Sequence, residues 1–133
     1  MNGWDGWPFD RAYLLLVAVA FLVVGGQVFL FHWRAAFRSK AMYGPVVMAP
    51  IIAAAGVAAA IVRNDVVGWA ALVIFAIGFI DGLIGLTMHL QGIAHRVGGF
   101  TLRNVTAGPP PLLPLAFAAL ALTGGLAVIW DAW

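Results

Sequence analysis

Four long apolar runs restrict the fold of this sequence more than any motif does. They cover about residues 12–33, 45–62, 67–91 and 112–130. A hydrocarbon core about 30 Å thick is crossed by roughly 20 helical residues, and each run is close to that length. Because unpaired backbone groups are costly in lipid, such runs cross it as helices. The sequence therefore predicts an all-α integral membrane protein with four transmembrane helices.

The composition excludes a water-soluble domain. Of the 133 residues, 64% are hydrophobic and 9% are charged, whereas soluble domains carry about 25% charged residues. We expect one domain over residues 1–133, built as two tandem helical hairpins, about 12–62 and about 67–130. The chain has no cysteine, which excludes thiolate nucleophiles and cysteine-ligated metals. Its few cations indicate membrane topology and not a nucleic-acid partner.

Positive charge is unevenly distributed among the connections. The first and third connections hold most of the cations: Arg34, Arg38, Lys40, Arg96 and Arg103. The positive-inside rule then places both termini outside and these connections in the cytoplasm, as in a bacterial inner membrane. An aromatic belt at the outer interface agrees with this orientation: Trp4, Trp7, Trp69, Trp130 and Trp133. The N-terminal segment has no basic region or clear cleavage site, so we do not interpret it as a signal peptide.

Two Gly-Pro segments suggest an internal repeat. GPVVMAP (44–50) and GPPPLLP (108–114) each place a second proline five positions after the first, and the latter closes a long, ordered surface loop. Upstream, Gly25 precedes His32 by seven residues, as Gly82 precedes His89. Two hairpins in one orientation would form a parallel repeat about an axis along the membrane normal. Chance matching in a chain rich in glycine and proline is the other interpretation.

His32 and His89 are the main candidate site residues, since both are predicted at similar depth near the inner ends of their helices. Two imidazoles are suitable axial ligands for a b-type haem. The pattern resembles, in its chemistry alone, the glycine- and histidine-bearing helices of membrane cytochromes b. Spacing predicts that three glycines leave room for the haem: Gly25, Gly82 and Gly85. The arginines that would pair with its propionates are Arg34, Arg38 or Arg96.

Other interpretations of the histidines remain open. Each imidazole could bind a separate centre, such as the magnesium of a pigment or a copper ion with methionine nearby. The methionines in question are Met42, Met48 and Met88. In the simplest interpretation both imidazoles face lipid headgroups and bind nothing. His95 is predicted to lie beyond the membrane end of the third helix, at the surface.

Asp81 lies near the middle of the third run, where a charged carboxylate costs at least about 2.5–3.5 kcal/mol. We expect a neutral carboxyl group that is hydrogen-bonded to Thr123, to Gln27 or to a backbone carbonyl of the first helix. A functional interpretation makes Asp81 a proton-relay group or a quinone contact. A polar clamp between packed helices is the structural interpretation.

The sequence contains no catalytic set, so the chain alone is not expected to be an enzyme. We expect a small subunit of a larger membrane complex. The most specific hypothesis is that this subunit transfers electrons through a haem b. The first alternative is a non-redox accessory or assembly subunit that packs on a partner through a glycine-rich helix face. That face is formed by Gly78, Gly82, Gly85 and Gly92. A small transporter is a further alternative.

Overall fold

A computed structural model describes residues 8–130, and every regular element in this part of the chain is helical. The elements are α1 (Phe9–Arg34), a short 3-10 helix (Lys40–Met42), α2 (Tyr43–Ile61), α3 (Asp65–Arg96), α4 (Leu102–Ala107) and α5 (Leu112–Ile129). Four of these helices, α1, α2 with its 3-10 turn, α3 and α5, are long and apolar enough to cross a membrane. The predicted all-α membrane fold is confirmed at this level. Trp4, Trp7 and Trp133 of the predicted belt lie outside the described residues.

The long helices form a bundle with an aromatic centre. α1 packs along α2 and α5, and α3 packs along the same two helices, so α1 and α3 lie on a diagonal. Phe21, Phe75 and Phe117 are almost completely buried. The rings of Phe21 and Phe117 meet edge to face with centroids 4.9 Å apart, an arrangement that aromatic pairs favour. The centre of the bundle is therefore apolar.

One end of the bundle collects most of the cations, all of them exposed. We call it the basic end, defined by Arg34, Arg38, Lys40, Arg96 and Arg103. The opposite end, here the Asp10 end, carries the ion pair in which Arg63 Nη1 donates to Asp10 Oδ2 at 2.6 Å. Beside it, Arg11 Nε donates to the Ala60 carbonyl at 2.5 Å. These contacts join the start of α1 to the end of α2.

Hydrogen-bonding caps fix the starts of α3 and α4. The Asn64 side chain accepts from Val67 N at 2.9 Å, and the Thr101 hydroxyl accepts from Asn104 N at 3.1 Å, as N-cap residues do. Helix α4 was not anticipated, because its six residues lie in the segment interpreted as a loop. Helix α3 also continues past its apolar run to Arg96. Gly98 and Gly99 then reverse the chain at φ of 100° and 99°, angles that favour glycine.

The two Gly-Pro segments occupy different positions relative to their helices. α2 begins at Tyr43, so Pro45 lies in its first turn and Pro50 lies in its interior. α5 begins at Leu112, so Pro109 precedes the helix and Pro114 lies in its first turn. Proline is well tolerated in a first turn, where its missing N–H would have had no partner. The internal repeat stays a prediction, and its two halves are not locally equivalent.

Candidate functional site

The structure brings the two predicted histidines together at the basic end. His32 comes from the last turns of α1, and His89 comes from α3 on the diagonal of the bundle. Both side chains are partly buried. Two imidazoles from separate helices therefore share one polar region.

The backbone of the proline-rich segment orients His89. His89 Nδ1 lies 2.9 Å from the Pro110 carbonyl oxygen. A carbonyl only accepts hydrogen bonds, so Nδ1 carries a proton, and in a neutral imidazole the lone pair then resides on Nε2. A hydrogen bond from the second ring nitrogen to a backbone carbonyl also orients many metal-ligating histidines. The proline-rich segment before α5 thus orients the imidazole of His89.

His32 is held by a different set of contacts. Its Nδ1 is buried and has no hydrogen-bond partner within residues 8–130. The ring lies beside the Met42 backbone and 6.1 Å from the ring of Phe37. Phe37 in turn stacks on Tyr43 at 4.5 Å. A buried nitrogen without a partner needs an explanation, such as a bound water or ion.

A strained turn places Phe37 against His32. Ala36 and Phe37 have φ of 55° and 45°, in the left-handed region that costs ordinary residues roughly 1–2 kcal/mol each. Neither residue is a glycine or an asparagine, so the sequence carried no signal for this turn. The Phe37 N–H donates to the His32 carbonyl at 3.0 Å, which closes the end of α1.

The hydrogen bonds predicted for Asp81 are wrong. Asp81 Oδ2 is buried, and it has no hydrogen-bond partner in the part of the chain that the structure describes. The Thr123 hydroxyl donates to the Ala119 carbonyl of its own helix at 3.0 Å. Gln27 is exposed on α1. The carboxyl group instead faces Gly44 of α2, where a β-carbon would come within 2.6 Å of Asp81 Oδ1.

Helix register explains the error. Gly82, beside Asp81, packs on Ala118, which at 1.5 Å per residue is about 9 Å from the start of α5. Thr123 lies about 7.5 Å farther toward the Asp10 end by the same rise. The prediction assumed that α3 ends at Gln91, whereas it ends at Arg96. By this register Asp81 lies about 7.5 Å nearer to the basic end than Thr123 does, which is too far for a hydrogen bond between them.

Neighbouring helices pack closely against the three glycines that were predicted to leave room for a haem. A β-carbon would meet Ala49 Cβ at 2.5 Å from Gly25, the Ala118 nitrogen at 2.7 Å from Gly82 and Pro114 Cβ at 3.2 Å from Gly85. Neighbouring helices of the same chain fill the spaces that these glycines leave. Small residues allow such close approach between membrane helices.

The glycine-rich face of α3 packs against other elements of the same chain. Gly78 packs against Ile52 of α2, and Gly92 packs against Pro109. Within the chain, α2, α5 and the loop before α5 cover this face, and its role in assembly stays a prediction. Arg38 and Arg96, the predicted propionate partners, are both exposed at the basic end.

The histidine pair can supply only part of a metal coordination shell. Within residues 8–130 no group of three or more His or acidic side chains could hold a metal ion. A structural zinc site needs four protein ligands and does not fit. Haem iron needs only two axial ligands, and copper(I) accepts soft sulfur beside imidazole. Of the candidate methionines, Met42 lies nearest to His32, Met48 packs on the core and Met88 is exposed.

Family models, curated protein sequences and solved structures show no match to this chain. The fold and the site define a small protein with four candidate membrane-spanning helices and a polar cluster at its basic end. That cluster contains His32 and His89, together with Phe37 and Pro110, which the sequence interpretation missed. Asp81, which faces Gly44, lies about 12 Å from His89 along α3. The function has to be inferred from the chemistry of this cluster.

Proposed function

We propose that this protein is a small subunit of a larger membrane complex in which His32 and His89 hold a redox metal centre. One observation carries the proposal: His32 and His89, from diagonal helices, are both partly buried at the basic end, and His32 Nδ1 is buried without a hydrogen-bond partner within residues 8–130. The hydrogen bond to Pro110 leaves His89 Nε2 as the coordinating nitrogen. When bound, the centre would carry single electrons. The iron of a b-type haem is one candidate, and a single copper ion is the other.

The surrounding residues would orient the imidazoles and limit access to them. Pro110 fixes the ring of His89, since its carbonyl accepts from Nδ1. The stacked rings of Phe37 and Tyr43 lie on the side of His32. Apolar groups around a metal site control solvent access and thereby its redox potential. These contacts support a preorganised site more than they support two unconstrained surface histidines.

Copper is the second candidate, and the packed glycines favour it. Neighbouring helices occupy the space at Gly25, Gly82 and Gly85, so a macrocycle would need the helices to separate at the basic end. A single ion needs no such separation. Met42, beside His32, could add a sulfur ligand of the kind that copper(I) prefers.

We further propose that the chain lies in a bacterial inner membrane with both termini outside, as two tandem hairpins. The charge distribution supports this orientation, because the basic end holds five exposed cations. The Asp10 end combines Arg11 and Arg63 with Asp10 and Asp65. By the positive-inside rule the basic end faces the cytoplasm.

Asp81 would serve as a proton-relay group or a quinone contact on the helix that carries His89. The buried, unpartnered Oδ2 supports this role, because such an atom is available to a ligand or a proton. Asp81→Asn keeps the shape of the side chain and removes its ionisable proton. The expected result is an unchanged fold with slower reoxidation of the reduced centre. An unchanged rate would remove Asp81 from the functional site.

The absorption spectrum of the purified full chain tests the metal proposal. Expression uses cells supplied with both haem precursors and copper. For haem we expect a Soret band and a reducible α band, both lost in His32→Ala and in His89→Ala. For copper we expect a colourless reduced protein whose copper is lost in the same two variants.

His95→Ala is the matched control, because His95 lies on the same helix as His89 and its side chain is exposed. It should leave the spectrum and the copper content unchanged. A stable protein that holds neither haem nor copper contradicts the metal proposal. If that protein copurified with other subunits, the non-redox accessory role would replace it.

A further inference from the structure

Helix α3 extends beyond its neighbours at the basic end. It has 32 residues, whereas α2 has 19 and α5 has 18. At 1.5 Å per residue α3 is about 48 Å long, compared with a hydrocarbon core of about 30 Å. His89 contacts Pro110, which precedes the first turn of α5. The residues of α3 after His89 therefore lie at the depth of lipid headgroups.

A groove of about 200 Å³ lies on this projecting part of α3. The residues that line it are Met88, Gln91, Gly92, His95 and Arg96. Four of these residues have exposed side chains, whereas Gly92 is buried against Pro109. Arg96 and Gln91 supply hydrogen-bond donors, and His95 adds a third polar group. Met88 makes the end of the groove nearer the membrane apolar.

Among the described residues that line the groove, none is acidic. The ion pair recorded within residues 8–130, Arg63 with Asp10, lies at the opposite end of the bundle. Asp65 lies at that end too, where it begins α3. The exposed cations of the basic end thus create a positive surface at headgroup depth. Such a surface attracts anionic lipids by about 1 kcal/mol for each nearby Lys or Arg.

We propose that this groove binds the phosphate of an anionic phospholipid, with the acyl chains descending past Met88. Depth favours a lipid over a soluble anion, because the groove opens where α3 leaves the hydrocarbon. Its lining, polar at Arg96 and apolar at Met88, matches a headgroup joined to an acyl chain. Cations also stabilise a helix C-terminus, but that effect accounts for neither Gln91 nor the groove. The proposal does not depend on the metal centre.

Native mass spectrometry of the full chain, freed of lipid in detergent, tests this proposal. The probes are phosphatidylglycerol and phosphatidylcholine, added separately at equal concentrations. Phosphatidylglycerol should bind more tightly. Arg96→Gln should weaken that binding about fivefold, the factor that corresponds to one cation near the membrane surface. Arg103→Gln removes a charge from α4 outside the groove and should weaken it less than about twofold.

Each other outcome overturns the lipid proposal. Equal binding of the two lipids would exclude recognition of an anionic headgroup. Equal losses in Arg96→Gln and Arg103→Gln would indicate attraction to the whole basic end and not to the groove. Displacement of the lipid by millimolar inorganic phosphate would indicate a site for a free anion. His95→Gln provides a second groove variant if Arg96→Gln fails to retain its helical circular dichroism, and it should also weaken binding.

Discussion

Gly82 shows how closely the long helices approach each other. A β-carbon at this position would lie 2.7–2.9 Å from the nitrogen, Cα and Cβ atoms of Ala118. Two of these atoms belong to the backbone of α5 and cannot move aside without shifting the helix. Gly82→Ala should therefore destabilise the bundle by about 1–3 kcal/mol, the usual cost of overpacking. Thermal unfolding in detergent, followed by circular dichroism, measures the change.

Gly26→Ala is the matched control for Gly82→Ala. Gly26 is also a helical glycine, but it is exposed and a β-carbon there would meet nothing within 4 Å. Alanine is the better helix former, so this variant should be neutral or more stable by up to about 1 kcal/mol. Equal destabilisation of both variants would contradict the packing assigned to Gly82.

Gly44 and Asp81 should be energetically coupled. Gly44→Ala would push the carboxyl group of Asp81 away, because the β-carbon would come within 2.6 Å of Oδ1. The same change should cost little once Asp81→Ala has removed the carboxyl group. A double-mutant cycle on unfolding free energies should give a coupling of about 0.5–3 kcal/mol. A coupling near zero would show that the two residues are not in contact.

The sequence predicted that His32 and His89 lie near one end of the bundle but not which residues contact them. Spacing alone indicated that His32 and His89 lie at similar depth near one end. The hydrogen bond to Pro110 was missed because a backbone carbonyl carries no residue-specific signal. Phe37 was missed since its left-handed turn contains neither glycine nor asparagine. The partner of Asp81 was wrong because contacts between helices depend on register, which hydropathy does not specify.

The ends of α1 and α2 are joined by an asymmetric ion pair. The Asp10 side chain is 2% exposed, whereas that of Arg63 is 41% exposed. Arg63→Gln removes the positive charge that stabilises the buried Asp10 carboxylate. In fully buried ion pairs, removing one partner lowers the unfolding free energy by about 3–5 kcal/mol. Asp10→Asn removes the buried charge and leaves an arginine that water can solvate.

Arg63→Gln should therefore lower the unfolding free energy more than Asp10→Asn does. Chemical unfolding of both variants in the same detergent compares them. Arg103→Gln, at the basic end, serves as the control and should have little effect. The reverse order of the two ion-pair variants would contradict the burial assigned to Asp10.

At the scale of helices, hydropathy predicted the segments whose residues contact lipid or the core, because those residues are apolar. All four apolar runs became long helices. The six-residue α4 was missed because a short amphiphilic segment has too few turns to show a period. The end of α3 was misplaced because Gly92 resembles a helix stop. In the structure Gly92 is instead a contact that admits Pro109.

The orientation of the whole bundle can be tested because the natural chain has no cysteine. Single cysteines at exposed positions can therefore be labelled without background. Thr106→Cys reports on the basic end, and Val66→Cys reports on the Asp10 end. With termini outside, a membrane-impermeant maleimide should label Val66→Cys in intact cells. It should label Thr106→Cys only after the membrane has been permeabilised. The opposite labelling pattern would show that both termini lie in the cytoplasm.

For the molecule as a whole, the central claim is that two helices on a diagonal of the bundle share one metal centre. The most direct measurement is metal content per chain, iron and copper together, in protein purified from metal-replete membranes. About one metal per chain is the expected value for the wild type and for His95→Ala, because one imidazole pair holds one centre. His32→Ala and His89→Ala should each lose nearly all of it. Full metal retention in either variant, or none in the wild type, would contradict the claim.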